Sequence, residues 1–366
     1  MKRVFFLMLL SAIVSCGNNS NDKSNSESKE ADKTIVAKAN NELGNLNFVW
    51  IHAKKEKTVE QWDVDFSKYA QSNIKGIIIG ADIEVLERVI PIAHKYGIQV
   101  HAWMWTLNRN GDKEAQKHPE WYSVNRLGSS CFDHHPYVDY YQWVCPSIPE
   151  VQEHILNQVK DLLKIKGLDG IHLDYVRYSD AILPTDLWST YNIVQDKVYP
   201  EWDYGYNPSN IALFKAKYGY SPLDKEDPNT DENWVKFRLN TVTELVNKIA
   251  EVVHSENKLL TAAVFPSPKM SSRMVYQSWS DWNLDAAMPM IYHNFYKEDL
   301  NWIGETTADG VKTLNGKFPI YTGLFVPNLK GKDLNKAIEI SKKSGAKGVA
   351  LFDAASFEKV HHSAIE

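Results

Sequence analysis

Cysteine is scarce in this chain, with three residues in 366, at positions 16, 131 and 145. So few thiols exclude a small domain held by a disulfide framework, although an exported chain can still bridge Cys131 to Cys145. An excess of positive charge is missing too. The formal net charge is −5, and −7 without Lys2 and Arg3. That balance leaves no basic surface to hold nucleic acid or an anionic membrane by charge, so no nucleic-acid partner is expected. After the first residues no apolar run is long enough to cross a bilayer. A metal-dependent amidohydrolase barrel is expected to carry two histidines flanking one residue on its first strand, and Trp50-Ile51-His52-Ala53 supplies one. With that pair missing, neither a metal nor another cofactor is expected, although His52, His101, His172 and His293 fall on strand-like segments. His134-His135 reads as exposed loop.

What is present begins at the N-terminus. Lys2 and Arg3 precede an apolar run from Val4 to Val14 that ends at Ser15-Cys16. The run is too short to span a membrane and reads as a secretory signal over residues 1–15. A small residue before Cys16 suits lipidation of that cysteine after cleavage; a plain signal peptide is the alternative. The polar, low-complexity stretch that follows has the composition of a flexible tether over residues 16–45. The protein is therefore expected at the bacterial cell envelope, held to a membrane through a lipid anchor, with one large domain over residues 46–366.

Within that domain, short apolar β-rich runs alternate with stretches of helical periodicity, as parallel βα units require. Eight such runs occur, at 47–52, 74–80, 99–105, 170–175, 259–265, 286–292, 319–325 and 347–352. Eight parallel βα units close most simply into a (β/α)8 TIM barrel, an α/β fold. Connections 108–149 and 179–231 are long, and both follow a strand, so they belong to the C-terminal face where barrel enzymes build their sites.

The sharpest segment is Leu168-Asp169-Gly170-Ile171-His172-Leu173-Asp174-Tyr175-Val176-Arg177-Tyr178. Period two puts His172 and Asp174 on one face of the strand, with Asp174 at its C-terminal end and so in the barrel mouth. The plainer alternative is an Asp174–Arg177 ion pair at the rim. Arg177 nearby is expected to lower the Asp174 pKa, which suits a nucleophile or base. Aromatic residues make up 12% of the chain and crowd the mouth segments, including Trp103, Trp105, Trp121, Tyr175, Tyr178, Tyr292 and Tyr296. Sugar rings stack on such faces, although barrel cores use aromatics as well. The cluster from Tyr137 to Trp143 lies in a loop and is the preferred glycan platform.

These segments, with Gly97-Ile98-Gln99-Val100-His101-Ala102-Trp103, Asn108-Arg109, His118-Pro119-Glu120-Trp121, Pro146 through Pro149-Glu150-Val151, Gln277-Ser278-Trp279 and Met288-Pro289-Met290-Ile291-Tyr292, resemble the glycosyl-hydrolase-like family 10 barrels from about Asn47 onward. That family includes bacterial lipoproteins and a peptidoglycan-directed glycosidase. The resemblance implies a TIM barrel acting on glycans. Glycoside hydrolysis normally needs two carboxyl groups. Asp174 is the first candidate and Asp353, after the eighth strand, the second, with Asp82, Glu120, Asp133 and Asp180 behind it. Asp353 reads equally well as a buried cap on the barrel. No Glu stands at the fifth or sixth strand end, unlike many barrel glycosidases. Candidate substrate contacts are His101, Trp103, Asn108, Trp143, His172, Tyr175, Arg177 and Tyr292. The rival readings are a catalytically silent glycan-binding lipoprotein and a metal-dependent amidohydrolase-type barrel. No oligomeric state follows from the sequence.

Overall fold

The computed structural model describes residues 43–360. Eight parallel strands form one sheet in the order β6-β5-β4-β3-β2-β1-β8-β7. They are β1 (Phe48–His52), β2 (Gly76–Gly80), β3 (Gln99–Trp105), β4 (Gly170–Asp174), β5 (Leu259–Val264), β6 (Ala286–Pro289), β7 (Tyr321–Phe325) and β8 (Gly348–Phe352). The helices are α1 (Val59–Gln71), α2 (Ile83–Lys95), α3 (Pro149–Leu163), α4 (Leu187–Tyr191), α5 (Pro208–Tyr218), α6 (Glu232–Ser255), α7 (Pro268–Val275), α8 (Leu300–Leu314), α9 (Lys332–Lys343) and α10 (Ala354–Val360). The bridges Ala287–Ile320 and Met290–Gly323 join β6 to β7 and close the barrel. Glycine is required at this seam, because a Cβ on Gly323 would sit 2.6 Å from the Pro289 carbonyl oxygen.

The strands read as apolar runs because both faces are buried. Outward residues such as Ile77, Ile79, Val100 and Leu173 pack under the helices. Inward residues, including Phe48, Trp50, Ile78, Leu259, Met288 and Tyr321, fill the barrel itself. At the N-terminal face two aspartates pin neighbouring strands. Asp169 accepts the Val100 amide at 2.7 Å and lies 2.8 Å from His94, while Asp285 accepts the Leu260 amide at 2.7 Å and lies 2.9 Å from His254. Asp169, part of the sharpest sequence segment, thus works far from the mouth.

Both long connections are βα loops and pack on each other. The Val124 amide donates to Asn207, and Asn207 donates to the Tyr122 carbonyl at 2.8 Å. The second connection is anchored to α6 by a wholly buried ion pair, Arg238 to Asp203 at 2.5 Å, with Tyr206 and Asn229 also donating to Asp203. Cys131 and Cys145 are buried free thiols, so the bridge left open by the sequence is not made. Among the described residues no helix is long and apolar enough to cross a membrane. Cys16 and most of the tether lie outside them.

Candidate active site

Strand β4 sends alternate side chains into the barrel, His172 at depth and Asp174 at the mouth. After Asp174 the chain turns sharply, with Tyr175 in the left-handed region at φ 49°. That conformation is costly for a bulky residue and persists where the surroundings over-determine it. The turn aims the Tyr175 amide at Asp174 Oδ1, at 2.6 Å, while Trp103 Nε1 donates to Oδ2 at 3.0 Å. Asp174 remains partly exposed. Burial pushes its carboxyl above the ordinary carboxylate value, against the two donors and the more distant charge of Arg177.

The alternative of an ion pair between Asp174 and Arg177 is not realised. Arg177 Nη1 lies 3.2 Å from Asp180 and donates to the Tyr178 carbonyl at 2.9 Å. Its guanidinium rests over Trp143 at 4.7 Å and Phe265 at 4.9 Å. The left-handed turn at Tyr175 carries Arg177 away from Asp174. Arg177 does pull the Asp174 pKa down from a distance, as expected, but burial outweighs it and the net shift is upward; the simple rim ion pair is not made.

Asp174 opens into a cleft of about 430 Å³. Trp105, Tyr140 and Tyr175 form one wall, with Trp105 and Tyr175 centroids 4.7 Å apart. Tyr292, Phe295 and Phe325 form another, and Leu183, Leu187 and Tyr191 come from the second insertion. Asp174 and Asp180 are the carboxylates of this lining. Asp180 is nearly buried and accepts the Tyr137 hydroxyl at 2.5 Å.

Of the residues expected from sequence, Asp174, Trp103, Tyr175, Arg177 and Tyr292 line the cleft. Others fall elsewhere. His101 and His172 lie wholly inside the barrel, His172 Nδ1 2.9 Å from the Thr261 hydroxyl and its ring edge-on to Trp50. Burial pushes His101 down to about 4 and His172 well below its ordinary value, so both are neutral. Asn108 is buried and accepts the Gln142 amide at 3.0 Å. Trp143, 1% exposed, packs behind Tyr141, Tyr175 and Arg177. Asp353 lies outside this cleft, in a neighbouring groove, and accepts the Ser356 amide at 3.0 Å at the start of α10. It caps a helix.

Sequence reasoning passed over Phe325 and Phe352, which end β7 and β8, and ranked Asp180 behind Asp353. The period-two pattern of β7 and β8 does place both phenylalanines on the inward face. Among the described residues no group of three His, Cys, Asp or Glu is arranged to hold a metal ion.

The sequence profile of the family described as glycosyl hydrolase-like 10 matches residues 17–343. No curated protein matches the chain in sequence. Among solved structures, the catalytic domain of a β-amylase from Paenibacillus polymyxa superposes with a TM-score of 0.58 at 10% identity, covering 85% of this chain and 93% of that one. A β-galactosidase from the psychrophilic Marinomonas ef1 gives 0.57 at 10% identity over 84% of this chain and 53% of its own. A GH42 β-galactosidase from G. stearothermophilus gives 0.55 at 12% identity over 84% and 51%. The chain thus spans about half the length of the two β-galactosidases. At such identities the likeness establishes the TIM-barrel fold.

Proposed function

Because the chain belongs to the glycosyl hydrolase-like 10 family, we propose that it hydrolyses O-glycosidic bonds in a polysaccharide or cell-wall glycan, with Asp174 as the proton donor. One observation carries this reading: a carboxyl group whose pKa is raised by burial faces an aromatic cleft at the C-terminal end of a barrel strand. A general acid must hold its proton near working pH, and burial favours that form. Asp174 gives the proton to the glycosidic oxygen as the bond to the anomeric carbon breaks. Asp180, paired with Arg177, is the second carboxylate and faces the positive charge that develops there; water then adds to the anomeric carbon and gives its proton back to the Asp174 carboxylate, which completes hydrolysis. Aromatic faces hold the sugar rings.

The test is to incubate the purified protein with a panel of glycans, peptidoglycan strands, α-glucans and β-galactans among them, and to measure new reducing ends. Turnover that disappears in Asp174→Asn supports the reading. The burial of Asp180 and its ties to Arg177 and Tyr137 favour a second reading, a glycan binder without turnover, and tight binding with no new reducing ends would establish it. The placement at the cell envelope is part of the same proposal, supported by the signal-like run ending at Ser15-Cys16. Cys16→Ser should move the protein out of the membrane fraction. Unchanged fractionation would refute the anchor.

A further inference from the structure

The mouth of the barrel is walled unevenly. Long insertions follow β3 and β4, whereas β1 reaches α1 through residues 53–58, β2 reaches α2 through 81–82, and β8 runs into α10 after Asp353 alone. On this low side lies a second groove of about 780 Å³. Its lining differs in kind from the aromatic cleft, with Lys54, Glu56, Gln61, Asp353 and Glu358 supplying charged and polar groups. The two hollows meet. His52, exposed at the end of β1, lines both, and its ring lies 4.7 Å from that of Trp103, the donor to Asp174. At the end of β8, Phe352 faces the cleft and the next residue, Asp353, faces the groove.

We propose that the groove is a second set of sugar-binding positions, and that a glycan chain lies across the barrel mouth from the aromatic cleft, over His52, into the polar groove. This rests on the glycan-hydrolase reading and adds a mode of action: the bond at Asp174 is flanked by bound sugars on both sides, so the protein cuts within chains. The physical reason is complementarity. Sugars in the cleft present C–H faces to aromatic rings, whereas sugars in the groove exchange water for hydrogen bonds from exposed charged and amide groups, as wet recognition surfaces do. A substrate bound only at its tip would have no need of a polar groove continuous with the reacting position.

Two kinds of variant test this. Lys54→Ala/Glu56→Ala removes exposed side chains that face the groove, and Ala355→Trp fills the groove from an exposed position on α10. Thermal melts check folding, and the surface pair serves should the tryptophan disturb α10. The probes are disaccharides and octasaccharides of the panel glycans. Each variant should lower kcat/KM on the octasaccharide by roughly tenfold, the scale of lost polar contacts, and leave the disaccharide unchanged; the parent's first products should come from internal cuts. Equal loss on both lengths, no loss on either, or release of sugars from chain tips overturns the groove and leaves the hydrolase reading standing. Absence of binding and turnover with every glycan and every length overturns both.

Discussion

Asp174 owes its chemistry to local backbone. A left-handed Tyr175 turns an amide onto one oxygen, Trp103 holds the other, and burial raises the carboxyl above its ordinary value. Asp174→Asn keeps the shape and removes the transferable proton, so turnover on a confirmed glycan should fall roughly 10²–10⁴-fold, the scale of a positioned proton-transfer group. With Asp174 as the proposed proton donor the acid form would do the work, so parental kcat should be level at low pH and fall as pH rises through the raised Asp174 value. A pH–rate profile checks the sign, and a limb that rises there instead would mark Asp174 as a base. A second prediction separates two aromatics that share a loop. Tyr140 is 38% exposed and Trp143 1%. Tyr140→Ala should weaken glycan binding with little change in melting temperature, whereas Trp143→Ala should cost about 3–5 kcal/mol of stability, as for a large buried ring. Calorimetry and binding on the same variants decide it. At this scale the sequence was informative where periodicity exists and silent where it does not. Period two put Asp174 on the inward face with His172, and its place at the strand end put it in the mouth, but loops have no period, so Trp143 read as a platform although it is the core beneath one. Arg177 followed Asp174 by three positions, and only the left-handed turn reveals that it pairs with Asp180.

The strands were legible as elements because burial on both faces writes each of them as an apolar run flanked by polar turns. Their ends were less so. The run Met288 to Tyr292 continues past β6, yet the Ile291 amide turns back to the Pro289 carbonyl at 2.9 Å and ends the strand there. Asp353 was placed ahead of Asp180 because sequence cannot tell a helix cap from a catalytic group, both of which favour a carboxylate directly after a strand. The insertions show the same limit, because what fixes them is a pairing across distant segments. Arg238 reaches Asp203 with both side chains fully buried, and its guanidinium also lies 3.7 Å from the Tyr276 ring centre. Arg238→Met would take from the Asp203 carboxylate its closer cation and leave only Arg126, 3.9 Å away, at a cost of up to about 3–5 kcal/mol. Denaturant unfolding should show that loss, and Asp203→Asn in the same background should restore part of it by removing a buried charge that Arg126 alone offsets from 3.9 Å. No recovery would mean that packing of the guanidinium, more than its charge, holds the insertion.

The whole barrel carries two neutral histidines in its interior, His101 and His172, both pushed below their ordinary value chiefly by burial. A histidine depressed in the fold binds its proton more readily when unfolded. It therefore contributes stability above about pH 6.5 and loses it as pH falls, for His101 down to about 4. Each should steepen the acid loss of stability by up to ~1.4 kcal/mol per pH unit in that window. Unfolding midpoints at several pH values should show a shallower slope for His101→Gln than for the parent, and an unchanged slope would mean that the ring is already charged in the fold.

The seam between β6 and β7 gives the molecule a line along which it can breathe. Across it the Ala287 and Ile291 amides donate to the Pro319 and Gly323 carbonyls, at 3.1 and 3.0 Å, whereas β2 through β5 are paired along their lengths. Local opening follows the least supported contacts. The Ala287 and Ile291 amides should therefore exchange with deuterium before those of β3 and β4. Met290 and Tyr292 on one side of the line and Phe325 on the other also line the cleft, so a bound glycan would bridge it and slow exchange there first. The barrel is then a clasp that the proposed glycan would fasten on binding.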